Sequence, residues 1–108
     1  MQYDGLFFAC GAGSPETIWK ATIHKQHPAL RLVVETQADT GSAGMLRVTV
    51  AGTVVKEVAF GDAQTRHVFS LTVPGAHLDP VGLTVQLWRT AGTGLVRCWP
   101  QDTSGVSL

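Results

Sequence analysis

Apolar and polar residues alternate with a period of two through most of this chain. Leu30, Leu32 and Val34 oppose Arg31 and Glu35; Leu46, Val48 and Val50 oppose Arg47 and Thr49; Phe69, Leu71 and Val73 oppose Ser70 and Thr72. Side chains of a β-strand point alternately to its two faces, so each stretch has one face for a core and one for water. The same cadence predicts strands over 3–10, 30–36, 45–51, 54–60, 67–73, 83–90 and 95–99. Turn chemistry lies between them: Asp39-Thr40-Gly41-Ser42, Gly52-Thr53, Gly61-Asp62, Pro74-Gly75, and Asp79-Pro80 with Gly82. Short strands recurring in this way point to an all-β, antiparallel sandwich of about eight strands. Its expected core is Leu32, Val34, Val48, Val50, Phe69, Leu71, Val85, Leu87 and Cys98, because a one-residue slip would invert every strand.

One segment carries two readings. Ser14-Pro15-Glu16 and Pro28 punctuate residues 15–26 as a short helix would be punctuated, with an N-cap serine, a first-turn proline and a terminating proline. The interior instead alternates Trp19, Ala21 and Ile23 with Lys20, Thr22 and His24, and is rich in β-branched residues. The helix option would make residues 1–36 resemble a dinucleotide-binding fingerprint, with Gly11 and Gly13 as its first glycines and Glu35 at the ribose position. Glu16 stands where the third glycine belongs, and nothing after residue 36 supplies the further helices of that fold.

The last two predicted strands carry the candidate binding residues. A two-residue turn at Gly92-Thr93 would pair Leu87 with Cys98, Trp88 with Arg97 and Gln86 with Trp99. Trp88, Trp99, Arg97, Gln86 and Thr84 would then share the outward face of one hairpin. Two tryptophans framed by such polar groups suit a flat ligand, or else form the underside of another protein element.

Composition narrows the classes. With 108 residues the chain is one domain, expected over 1–100 with a polar tail at 101–108. Eight basic and eight acidic side chains are dispersed along it, which leaves no electrostatic footprint for nucleic acid or an anionic membrane. No apolar run approaches the roughly 20 residues that span a bilayer, and Met1-Gln2-Tyr3-Asp4 lacks the features of a signal peptide. The chain as written is not addressed for export, and a module cut from a secreted protein stays open as an alternative. Asparagine is absent, and with it any N-glycosylation acceptor.

Catalytic and metal signatures are weak. There is no Gly-x-Ser-x-Gly elbow, phosphate-loop Gly-Lys-Ser/Thr or His-Glu-x-x-His, so no cofactor or metal site is assigned. His24 and His27 have a helical metal spacing that fails on a strand, and His67 reads as an imidazole at the core's edge. Asp62, Asp79 and Asp102 fall in predicted turns, where aspartate caps its own backbone or, in a sandwich loop, ligates calcium. Cys10 and Cys98 lie on the apolar sides of terminal strands that should be neighbours, either as two buried thiols or as a disulfide.

Three stretches carry a family resemblance: Met45-Leu46-Arg47-Val48-Thr49-Val50-Ala51-Gly52-Thr53-Val54-Val55, Phe69-Ser70-Leu71-Thr72-Val73-Pro74-Gly75, and Leu83-Thr84-Val85-Gln86-Leu87. Over about two thirds of the chain, this rhythm resembles the galactose-binding-like β-sandwiches that serve as bacterial carbohydrate-binding modules. The resemblance implies a jelly-roll scaffold and sugar recognition by aromatics and loop polars. The family's closing calcium-site acids and ligand-loop asparagine have no recognisable counterparts here.

The expected function is a non-catalytic, glycan-binding module, with Trp88 and Trp99 as the platform and Arg97, Gln86 and Thr84 as hydrogen-bonding partners. The rival is a structural or assembly protein, a virion or surface-complex subunit, whose tryptophan face is buried against a protein partner or a second copy.

Overall fold

The computed structural model describes residues 8–11 and 13–102. Their strands are β1 (Phe8–Cys10), β2 (Glu16–His24), β3 (Ala29–Ala38), β4 (Ala43–Val50), β5 (Thr53–Phe60), β6 (Thr65–Thr72), β7 (Pro80–Ala91) and β8 (Val96–Asp102). Residues 3–7 of the first predicted strand lie outside the described residues. Strand β8 runs two residues into the expected tail, so Asp102 closes a strand rather than a turn.

Two antiparallel four-stranded sheets result, of order β1-β8-β3-β6 (sheet A) and β2-β7-β4-β5 (sheet B). The pairs β1–β8, β2–β7, β3–β6 and β4–β5 are those of one long hairpin folded back at the β4–β5 turn. Rolling that hairpin adds two seams, β3–β8 and β4–β7, and divides it into the two sheets. Its tip is the tight turn Ala51-Gly52, where both residues have positive φ (52° and 81°). That backbone hand matches the twist of the strands it joins.

The core lies between the sheets, and all nine residues expected there are buried, Phe69 at 7 % exposure being the least so. Arg31 is exposed, and Arg47 and Gln86 are half-buried on the opposite parity, so the register is the one alternation predicts. Period-two patterning decides strand orientation because only one parity removes its apolar side chains from water.

Residues 16–24 form an edge strand, which overturns the helix option for 15–26. Trp19, Ala21 and Ile23 sit opposite Val85, Leu83 and Val81 of β7, a period-two apolar face that a helix would have split. With the helix goes the dinucleotide-binding layout.

The predicted β7–β8 hairpin is also overturned. Both sides of β7 are taken by β2 and β4, and both sides of β8 by β1 and β3, so residues 92–95 cross between sheets instead of turning within one. Leu87 faces Leu46 rather than Cys98, Arg97 faces Gln37, and Trp99 faces Glu35. The crossing is held by the β3–β4 loop: Asp39 Oδ2 accepts from the Leu95 amide at 2.9 Å, and buried Ser42 Oγ accepts from the Gly94 amide at 3.0 Å. Gly92 and Thr93 are therefore spent on a cross-sheet bridge.

The terminal strands β1 and β8 do pair, with Phe8 opposite Cys98 and Cys10 opposite Val96. Cys98 is a free, buried thiol, so the disulfide alternative falls.

Candidate functional site

Strand β7 turns Gly82, Thr84, Gln86 and Trp88 outward on sheet B, opposite its buried Val81, Leu83, Val85 and Leu87. Neighbouring strands extend this into rows. Thr22 faces Gly82; Lys20 and Thr49 flank Thr84; Thr17 and Arg47 flank Gln86; and Met45 faces Trp88. Two features stand out along this polar face.

The first is a shallow, solvent-open depression of about 350 Å³ lined by Lys20, Ala21, Thr22, Gly82, Leu83 and Thr84. Its cause is Gly82, which supplies no side chain in mid-strand; a Cβ built there would meet nothing within 4 Å. A glycine inside a strand is a recognised marker of close approach by a ligand or backbone. Gly82, read from sequence as a turn residue, lies within β7, and Lys20 and Thr22 were not singled out because their strand was not secure.

The second feature is a stacked cluster about Trp88. The Arg47 guanidinium lies over the indole, its Cζ 4.8 Å from the ring centroid, and donates from Nε to Glu57 Oε2 at 2.7 Å. Arg47 Nη1 reaches Gln86 Oε1 at 3.5 Å, the outer limit of a hydrogen bond. Trp88 is thus half-buried and oriented by a cation rather than standing alone.

The other two candidate residues are on the far side of the molecule. Arg97 and Trp99 project from sheet A, where Arg97 Nη1 pairs with Asp39 Oδ1. The Leu95 amide, and after it Arg97, hold the Asp39 carboxyl below its ordinary value. The expected five-residue platform is therefore divided: Trp88, Gln86 and Thr84 share one outer face, and Trp99 and Arg97 share the other. The shared face failed because it rested on a hairpin that does not form.

The remaining chemistry-bearing residues are engaged in structure. Asp79 Oδ2 accepts from the Ala76 amide at 2.9 Å, the local turn role expected of it, whereas Asp62 Oδ2 accepts from the Gly41 amide at 3.2 Å and so ties its loop to the β3–β4 loop rather than capping its own turn. His24 lies on β2 opposite Pro80. Among the described residues, no three His, Cys, Asp or Glu side chains cluster as metal ligands, and no helix is long and apolar enough to cross a membrane. Burial pushes the Cys98 thiol up to about 12, which keeps it protonated and unreactive.

His67 projects inward and stacks on Phe69, with ring centroids 5.9 Å apart. Its Nε2 lies 2.8 Å from Oγ1 of the fully buried Thr36. Desolvation lowers its pKa below the ordinary 6.5. The unfolded chain therefore binds more protons between that lowered value and 6.5, and stability rises with pH across this window. The contribution is complete above about pH 6.5 and lost as the pH falls through the folded-state value. Urea midpoints measured from about pH 7 down to about pH 5 should fall more steeply for the parent than for His67→Phe. Leaving Thr36 without its partner shifts the variant's curve but not its slope, so equal slopes would remove His67 as the source.

Compared with known proteins, the chain matches no family model, and no curated protein matches it.

Proposed function

We propose that this protein is a non-catalytic glycan-binding module built on a jelly roll, with its ligand surface on the outer face of sheet B. The rolled-hairpin strand orders β1-β8-β3-β6 and β2-β7-β4-β5 support the scaffold, which lectin domains share with viral capsid subunits. The observation that carries the ligand reading is the placement of the depression at Gly82 and the Trp88 ring on one outward face of one strand. Six residues at about 3.3 Å each separate them by roughly 20 Å, room for several pyranose rings. Lys20, Thr22, Thr84 and Gln86 line the interval with donors and acceptors for sugar hydroxyls, and the indole offers an apolar face. The assignment is thereby narrowed to Trp88, Gln86 and Thr84 of the original five, joined by Lys20 and Thr22. The non-catalytic reading is supported by the engagement of His67 with Thr36 and the inert state of Cys98.

Gly82→Val tests the ligand reading at little structural risk. The new side chain enters open space on a strand, so stability should stay level or rise slightly, while a filled depression should weaken binding about tenfold or more. Affinity gels cast with soluble polysaccharides, beside a glycan array, read this directly. Undiminished retention in the variant would exclude the depression from the ligand surface.

A second reading, a structural subunit that assembles with copies of itself or with partners, is favoured by the exposure of Val54 and Val68 at 51 % and 55 % on edge strands.

A further inference from the structure

The four edge strands of the two sheets are not equally protected. A sheet edge offers unpaired amides and carbonyls to any passing strand, and proteins blunt such edges by shortening them, bulging them or placing charges on them. Strand β1 is described from Phe8 to Cys10, and the other three edges differ in these devices. The β2 ladder is broken between Thr17 and Trp19, and the strand carries Glu16 and Lys20. The β5 ladder is broken beside Val48 and Thr49, leaving Val55 as an extra residue, and it carries Lys56 and Glu57. Strand β6 has neither device. Its register with β3 runs without a shift from Thr65 opposite Thr36 to Thr72 opposite Ala29, and its single ionised side chain is Arg66, near one end. At its middle Val68 is 55 % exposed, beside the fully buried Val33.

We infer that β6 is a self-pairing edge: two copies of the chain join antiparallel through β6, about a two-fold axis at Val68, into one continuous sheet. The occupant is a second copy because the strand is self-complementary in that register. Val68 faces its own equivalent, Arg66 faces Ser70, His67 faces Phe69, and Thr65 faces Leu71. Each of these pairs joins residues of the same parity, so outward side chains meet outward ones and inward meet inward. No like charges oppose one another, and two β-branched residues meet at the axis, a favourable cross-strand pair. The combined sheet has the order β1-β8-β3-β6-β6-β3-β8-β1. It leaves the outer faces of both B sheets open. This inference does not rest on the glycan reading, although it would give that reading two ligand surfaces per dimer and hence avidity for a repeating polymer.

Sedimentation velocity and light scattering on the whole chain, over a concentration series, should show a reversible dimer. Val68→Lys sets two ammonium groups against each other at the axis and should shift the protein to monomer while circular dichroism, and the urea midpoint at concentrations where the parent too is monomeric, are unchanged, because Val68 contributes little to the core. Val68→Cys provides an independent measure, since thiols facing across the axis should oxidise to a covalent dimer. Peptide mapping would identify the link as between the two copies of the peptide carrying position 68. A parent that stays monomeric at the highest attainable concentration overturns the inference, as does a dimer that survives Val68→Lys or one in which the introduced thiols do not link.

Discussion

Gly44→Ala should destabilise the protein by about 2–3 kcal/mol, a large effect for the addition of one methyl group. Gly44 sits at an inward, buried position of β4, opposite Phe60 on one side and Arg89 on the other. A Cβ built there would lie 2.7 Å from Phe60 Cζ, 2.8 Å from Val96 Cγ1 and 2.9 Å from the Trp88 carbonyl oxygen. The ring tip can swing, but the carbonyl belongs to the adjacent strand and Val96 belongs to the opposite sheet. Relief therefore requires sheets A and B to separate locally. Alanine's conformational advantage over glycine in a strand, about 0.5–1 kcal/mol, offsets only part of that strain. Chemical denaturation of Gly44→Ala and Gly82→Ala side by side makes the comparison internal: the same methyl group is added to two glycines of adjacent strands, one enclosed and one open. A Gly44→Ala midpoint equal to the parent's would mean that the sheets do not approach so closely at this point.

Trp88→Ala should reduce polysaccharide retention about tenfold or more while changing stability by no more than about 1 kcal/mol. The ring is half-buried outside the core, and its contact with Arg47 is a surface cation–π pair of about 0.5–1 kcal/mol. Arg47 keeps its bond to Glu57 in the variant, so the neighbouring strands stay tied. Trp99→Ala is the matched control: the same residue type is removed from the outer face of the other sheet, and retention should hold. Equal losses in the two variants would restore a shared platform and contradict the division of the tryptophans between sheets. A parent that binds no glycan in gels or arrays would end the ligand reading, whereas the β6 pairing is decided by sedimentation and the Val68→Cys cross-link.

The candidate site was legible from sequence in its chemistry and illegible in its grouping. The outward parity of Trp88, Gln86 and Thr84 followed from alternation with Val85 and Leu87, and the structure keeps these three on one face. Alternation also placed Trp99 and Arg97 outward, and they are outward. Joining the two sets required knowing which strands are neighbours, and the inference drawn from a short Gly-rich connection was wrong. Sequence proximity favours a hairpin by low loop entropy, but the seams β3–β8 and β4–β7 together with the pairs β1–β8 and β2–β7 occupy every bonding edge that hairpin needed. The depression at Gly82 was missed for a related reason. A glycine beside Pro80 looks like turn chemistry until β2 is known to run alongside it, after which the missing side chain becomes a hollow between Thr22 and Thr84.

What this chain's sequence determined by itself is the content of each strand and the face each residue takes. Period-two burial is a local property, set by the geometry of one extended segment and the cost of leaving its apolar side in water. It accounts for the core from Leu32 to Cys98, and over 15–26 it offered a strand beside the helix that the flanking prolines suggest. Tertiary structure alone decided which strands meet, and with that the separation of Trp88 from Trp99, the Arg47 cover on the indole, and the regular edge at β6. Strand partners are chosen among many backbones offering the same amides and carbonyls, so the choice rests on closing the whole two-sheet core at once rather than on any signal within a single strand.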